Sequence, residues 1–148
     1  MQVLFLSTWF PSPPDNGSKL RVYNLLRALA QRNQVTLLSF AFDTARPDAP
    51  GELADWCHEI HVVAADPFAV NQTGALRTFL SSRPVASRPL PSMSQQVAGV
   101  LSGQVFDAVI SSTDVMVDYA LHAPPGPVRI LEEHNNMTRW AWERFEEA

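Results

Sequence analysis

The amino-acid sequence predicts an α/β fold in which a doubly wound parallel sheet lies between two layers of helices, giving three layers, α/β/α. Three observations support this. Strand-like and helix-like segments alternate along the 148 residues, which is typical of a parallel sheet. The first strand, Val3–Leu6, is a continuous apolar run, as expected where both faces of a sheet are covered. After Gly17, apolar residues recur at helical spacing.

A proline-rich loop joins the first strand to the first helix. Its prolines fix φ and remove backbone donors, so strand pairing stops there; they are Pro11, Pro13 and Pro14. Gly17 would let the backbone turn sharply and approach a ligand, and Ser18 is a candidate helix cap. The helix would then point its amides and a partial positive charge at the end of the strand, where phosphate commonly binds. The alternative interpretation is that Asp15-Asn16-Gly17 is only a turn before a helix.

The remaining elements follow from the same two periodicities. We expect strands at about 2–7, 35–40, 60–64, 105–111 and 128–132. We expect helices at about 18–32, 51–58, 72–81, 92–102 and 114–121. Right-handed crossovers would order the strands 3-2-1-4-5 in a Rossmann-like sheet, with a ligand crevice outside the carboxyl ends of strands 1 and 4. The loop at 11–17 and the residues Ser111, Ser112 and Thr113 should line that crevice.

Composition excludes several classes of function. The net charge of −4 argues against general binding of nucleic acid, and no apolar run approaches the ~18 residues of a membrane span. The segment Met1–Phe10 lacks the basic start of a signal peptide, so we predict a cytoplasmic protein. The single cysteine, Cys57, is expected to be a small core residue. No cluster of His, Cys and Asp has the spacing of metal ligands, so we expect a metal-independent site without a cofactor.

Positive charge collects in the middle of the chain. Between Pro67 and Phe106 there is no acidic residue, while Arg77, Arg83 and Arg88 lie there. This segment could face an anion, either a phosphate on an acceptor or the anionic surface of a membrane; the alternative is a solvated face. The proline-rich part, Ser82–Ser92, is expected to be an extended connector, either a spacer or a loop that presents its arginines to a substrate.

Three blocks of sequence together span nearly the whole chain: Val3–Phe40, then Arg83-Pro84 followed by a helix and Phe106–Ser112, and finally Leu131–Asn136, which reads LEEHNN. Their order and spacing resemble the N-terminal half of a GT-B glycosyltransferase of the retaining family-4 type. The resemblance implies the acceptor-binding half of a bacterial two-domain enzyme, which moves a sugar from a UDP- or GDP-sugar to a glycan or lipid-linked acceptor of polysaccharide biosynthesis.

The domain that would bind the nucleotide sugar is missing from the sequence. The chain stops in an aromatic-bearing helix, after Trp140, with neither a capping glycine nor a stop signal. We therefore expect a fragment of 148 residues that is inactive alone and binds nucleotide sugars weakly. The alternative is a free-standing flavodoxin-like module that binds a nucleotide or sugar phosphate without catalysis.

The resemblance implies a catalytic role for His134, as a group that positions the transferred sugar. Without the resemblance, His134 would be a histidine at a loop edge, satisfied by Glu132 or Asn135. Leu131 is expected to be a core residue. Residues expected to bind the donor phosphate or the acceptor are Asp15, Asn16, Gly17, Ser18, Lys19, Arg21, Arg83, Arg88, Ser112, Thr113, Glu132 and Asn135. A general base cannot be assigned from the sequence, because turn or cap roles explain Asp15 and Asp114 equally well.

Overall fold

The protein is described by a computed structural model that covers residues 1–42, 50–69 and 89–133. The strands are β1 (Gln2–Ser7), β2 (Gln34–Phe40), β3 (Glu59–Val63), β4 (Ala108–Ser112) and β5 (Val128–Glu132). They form one sheet in the order β3-β2-β1-β4-β5, with every neighbouring pair parallel. The predicted fold class, Rossmann-like in three layers, and the predicted strand order are confirmed.

The helices are α1 (Gly17–Ala30), α2 (Leu53–Trp56), α3 (Pro91–Gly103) and α4 (Val117–Ala120), and a 3₁₀ turn (Asp114–Met116) precedes α4. The second helix is a single turn, shorter than predicted, and the predicted helix at 114–121 is divided between the 3₁₀ turn and α4. The predicted helix at 72–81 and most of the predicted connector at 82–92 lie outside the described residues.

The fourth strand begins at Ala108, three residues later than predicted. The apolar pattern around Val105 misled the prediction, because this side chain is 88% exposed and does not belong to the sheet. Asp107 directly precedes β4, and its carboxylate accepts a hydrogen bond of 2.7 Å from the Gln2 amide at the start of β1.

Two hydrophobic clusters cover the two faces of the sheet. Along β1, Val3 and Phe5 belong to the cluster under α1 and α2, whereas Leu4 and Leu6 belong to the cluster under α3 and α4. This alternation follows from the two-residue period of a strand. It explains why β1, at the centre of the sheet, is apolar throughout.

The edge strand β5 differs from the prediction. Leu131 was expected in the core, but its side chain is 52% exposed, and Val128 and Ile130 are exposed as well. Within the described part of the chain β5 pairs only with β4, so it receives less cover than the three inner strands. No helix among the described residues is long and apolar enough to cross a membrane.

Candidate functional site

A row of polar residues crosses the sheet at its carboxyl edge. In the strand register Ser7 faces Ser39 on one side and Ser112 on the other, and Ser112 in turn faces Glu132. The three serines are buried. By the alternation along each strand, the row lies on the face covered by α1. Strand order reverses between β1 and β4, so the row crosses the point where doubly wound sheets bind ligands.

Glu132 connects this row to α1. One of its carboxylate oxygens, Oε2, accepts a hydrogen bond of 3.0 Å from Ser112 Oγ, and the other, Oε1, accepts one of 2.5 Å from Arg21 Nε. Arg21 is half-exposed, whereas the Glu132 side chain is largely covered. The contact therefore joins α1 to the carboxyl ends of β4 and β5.

The start of α1 is capped by Asn16, not by Ser18 as predicted. Asn16 has an extended backbone, and its side-chain oxygen accepts a hydrogen bond of 3.0 Å from the Lys19 amide. The first backbone hydrogen bond of the helix runs from the Leu20 amide to the Asn16 carbonyl (2.8 Å), and the first turn carries no acidic residue. The positive end of the helix dipole therefore lies at the carboxyl edge of the sheet.

Gly17 does not make the sharp turn predicted for it. It is the first residue of α1 and has no left-handed φ, unlike Gly51 and Gly126. A Cβ added at Gly17 would meet no atom within 4 Å. The fold therefore does not require glycine at this position, and close approach of a ligand is the one predicted role that still applies.

The two predicted cations at the site are each paired with a carboxylate. Lys19 is buried, and its Nζ lies 3.1 Å from Asp15 Oδ1. Arg21 is paired with Glu132, as described above. The formal charges of Lys19, Asp15, Arg21 and Glu132 therefore cancel. The helix dipole supplies the remaining attraction for an anion.

Thr113, directly after β4, has a strained backbone. Its φ of 76° and ψ of 162° lie in a region that is adopted almost only by glycine. Two contacts hold it there: its amide donates to the Glu132 carbonyl (2.9 Å), and its hydroxyl lies 2.7 Å from that of Thr8. Thr8 Oγ1 is also 3.3 Å from the Ser112 carbonyl, which accepts from it. Sequence reasoning missed Thr8, although its place directly after β1 was a usable signal.

Most of the predicted binding residues are brought together at this edge. The residues that meet there are Asp15, Asn16, Gly17, Ser18, Lys19, Arg21, Ser112, Thr113 and Glu132. Four predicted residues lie outside the described residues: Arg83, Arg88, His134 and Asn135. Of the two candidate bases, Asp15 is paired with Lys19, and Asp114 accepts a hydrogen bond from the Val115 amide at the 3₁₀ turn. Both contacts fit structural roles.

Two cavities lie at the opposite, amino end of the sheet. One, of about 620 Å³, is lined by residues 1–2, 30–34 and Asp107. The other, of about 340 Å³, is lined by Leu101, residues 104–107 and 124–127. Neither is lined by the polar row or by the start of α1. We assign the site to the carboxyl edge, because the helix amides and the polar side chains converge there.

The described residues contain no group of three His, Cys, Asp or Glu side chains that could hold a metal ion. Cys57 is buried against the cluster under α1 and α2, and burial raises the pKa of its thiol to about 11. A thiol with such a pKa is a poor nucleophile at neutral pH. The expectation that Cys57 is a core residue is therefore confirmed.

Comparison with known proteins shows the fold alone. No family model and no curated protein matches the sequence. Among solved structures, the chain is similar to the C-terminal domain of a hydrogenase from Pyrococcus furiosus, with 14% identity and a TM-score of 0.50 over 88% of this chain and 89% of that one. The resemblance to family-4 GT-B glycosyltransferases is corrected: no family model supports it, and the domain of similar fold belongs to a protein named as a hydrogenase. A strand, a glycine loop and a helix occur in many doubly wound sheets, so that motif indicates the fold rather than the family.

Proposed function

We propose that this domain binds a phosphorylated small molecule, a nucleotide or a sugar phosphate, at the carboxyl ends of β1 and β4. The observation that carries the proposal is the polar row Ser39, Ser7, Ser112 and Glu132, which lies at the same sheet edge as the capped start of α1. A helix N-terminus favours phosphate through its amides and its dipole.

The surroundings of Glu132 support an anionic ligand. Ser112 gives its one hydroxyl hydrogen to the Glu132 carboxylate and so orients it. Arg21 donates its Nε–H to the same carboxylate, and its guanidinium carries further N–H groups that are suited to an anion. Arg21 is exposed enough to contact a ligand as well, and a guanidinium with several N–H groups can serve a carboxylate and a phosphate together. The buried hydroxyls behind them would hold this arrangement in place.

Transfer of a sugar stays a prediction. The residue expected to act in it, His134, lies outside the described residues, and so do the arginines expected to face an acceptor or a membrane, Arg83 and Arg88. We therefore propose binding and assign no reaction.

Titration calorimetry with inorganic phosphate and with a nucleoside monophosphate tests the proposal. The variant is Arg21→Gln, and the control is Arg32→Gln, which removes the same charge from an exposed residue just beyond the far end of α1. We expect Arg21→Gln to weaken binding about tenfold, as for the loss of one charge-assisted hydrogen bond, and Arg32→Gln to change it little. Equal affinity of the two variants, or no binding by the unmodified protein, would contradict the proposal.

A further inference from the structure

Three aromatic side chains follow three neighbouring strands at the edge that carries the anion site. Trp9 comes two residues after β1, Phe42 two residues after β2, and Phe68 follows the end of β3. Because the strands are parallel, all three lie at the carboxyl edge. We call them the aromatic cluster.

The rings of this cluster contact one another and leave one ring open to solvent. The Phe68 ring is 6.0 Å from the Trp9 ring, centroid to centroid, at an interplanar angle of 31°, and 5.6 Å from the Phe42 ring at 73°. Phe42 packs against the hydrophobic cluster under α3 and α4. Phe68 is 48% exposed, so the cluster is anchored in the core on one side and presents apolar surface on the other.

Two hydrogen bonds fix the backbone around Phe68, the residue with the exposed ring. The Phe68 amide donates a hydrogen bond of 2.8 Å to Asp66 Oδ1, and the Ala69 amide donates one to the Asp66 carbonyl. A turn of this kind fixes the local chain. A half-exposed aromatic residue with a fixed backbone is suited to ligand contact, because little conformational entropy is lost on binding.

Trp9 connects the aromatic cluster to the polar row through the chain itself. Trp9 directly follows Thr8, whose hydroxyl lies 2.7 Å from that of Thr113. The Trp9 carbonyl accepts a hydrogen bond of 2.7 Å from Ser7 Oγ, which belongs to the polar row. An apolar surface beside a few convergent polar groups is the usual composition of a small-molecule site.

We propose that the aromatic cluster is a stacking subsite for the sugar ring of a phosphorylated sugar whose phosphate lies at the start of α1. This inference rests on the proposed function and narrows its ligand class. The negative face of an aromatic ring attracts the C–H groups on one face of a sugar, while the sugar hydroxyls remain available to polar groups around it. The rings, inclined at 31° and 73° to Phe68, form no slot between parallel faces such as would sandwich a nucleobase.

Calorimetry on the full chain tests this subsite with three probes: inorganic phosphate, glucose 1-phosphate and uridine monophosphate. We expect glucose 1-phosphate to bind about three- to tenfold more tightly than inorganic phosphate, as one added aromatic contact would give. Phe68→Ala and Phe68→Leu should both abolish this gain and leave inorganic phosphate unaffected; Leu keeps apolar surface but removes the ring. The control is Leu121→Ala, another exposed apolar residue, which should change nothing.

The outcomes separate the two proposals. If inorganic phosphate binds and glucose 1-phosphate binds no more tightly, the sugar subsite is wrong and the anion site stands. If neither binds, both are wrong. If uridine monophosphate gains affinity that Phe68→Ala removes and glucose 1-phosphate does not, the ring that stacks is a base, and the sugar assignment is overturned.

Discussion

At the scale of single residues, Thr113 shows how the site depends on contacts between strands. Its backbone conformation costs about 1–3 kcal/mol for a residue other than glycine, and it is β-branched. The hydrogen bonds from its amide to β5 and between its hydroxyl and Thr8 offset that cost. Ser112 and Thr113 could be placed at the carboxyl end of β4 from the sequence. The strain could not be predicted, because the contacts that hold it come from other strands: Thr8 lies 105 residues away in the chain, and Glu132 lies on β5.

Removal of the Thr113 hydroxyl should therefore destabilise the protein. We expect Thr113→Val to lower the free energy of unfolding by about 1–3 kcal/mol, since the strain stays and the buried partner hydroxyl of Thr8 loses a hydrogen bond. Urea unfolding measures the change. The matched control is Thr36→Val, because Thr36 Oγ1 is buried without a hydrogen-bond partner in the described structure. That variant should be neutral or more stable, and an equal loss in both would refute the role given to Thr113.

At the scale of elements, the position and length of α1 could be predicted from the sequence, whereas its cap and its contact with β5 could not. Its position and approximate length followed from the apolar period. The cap was assigned to Ser18 because serine is a good cap, but Asn16 occupies that place, and its amide oxygen satisfies the Lys19 amide. Sequence preference does not distinguish two capping residues two positions apart. The pairing of Arg21 with Glu132 joins residues 111 positions apart, so only the tertiary structure reveals it.

Loss of this cap should weaken both the helix and the anion site. We expect Asn16→Ala to reduce the free energy of unfolding by about 0.5–2 kcal/mol, because the Lys19 amide loses its partner. Phosphate affinity should fall as well, since the first turn frays. Asn24→Ala, at an exposed position inside α1, is the control: it should be neutral or stabilising, because alanine favours a helix. Chemical unfolding of both variants decides whether Asn16 acts as the cap.

At the scale of the whole molecule, the fold could be predicted from the sequence, but the protein family could not. Continuous apolar strands and alternating helices were enough to give the order 3-2-1-4-5, and with it the position of the point where strand order reverses. The exposure of Leu131 was not predicted, because the apolar sequence of this edge strand is like that of an inner strand. The aromatic cluster was missed for a related reason: Trp9, Phe42 and Phe68 are far apart in sequence and meet only when the strands are parallel neighbours.

Stability of the whole molecule should decline in alkaline solution. Burial raises the pKa of Cys57 from its ordinary 9.0 to about 11, burial also raises that of Tyr119, and a hydrogen bond to Glu52 raises that of Tyr23. Above pH 9 the unfolded chain therefore binds fewer protons than the folded one, so the free energy of unfolding decreases as the pH rises. The stabilisation from Cys57 is fully present below pH 9 and is lost as the pH rises toward 11.

Thermal unfolding between pH 7 and 11 measures this decline. We expect Tm to fall above pH 9, and to fall less steeply in Cys57→Ala, which lacks the titrating thiol. Below pH 8 the two proteins should have parallel profiles. Identical slopes above pH 9 would mean that Cys57 does not titrate with a raised pKa.

The pairing of β1 with β4 has a consequence for how the chain is made. Val3 pairs with Ala108 in the register of β1 and β4. One edge of the central strand β1 is therefore unpaired until a segment 105 residues further along the chain has been made. At the usual pace of synthesis this interval is roughly 5–20 s. During it, β1, β2 and β3 can already associate, while the other edge of β1 presents open backbone groups to any passing strand. Until β4 emerges, this edge is the part of the growing chain most open to pairing with another strand.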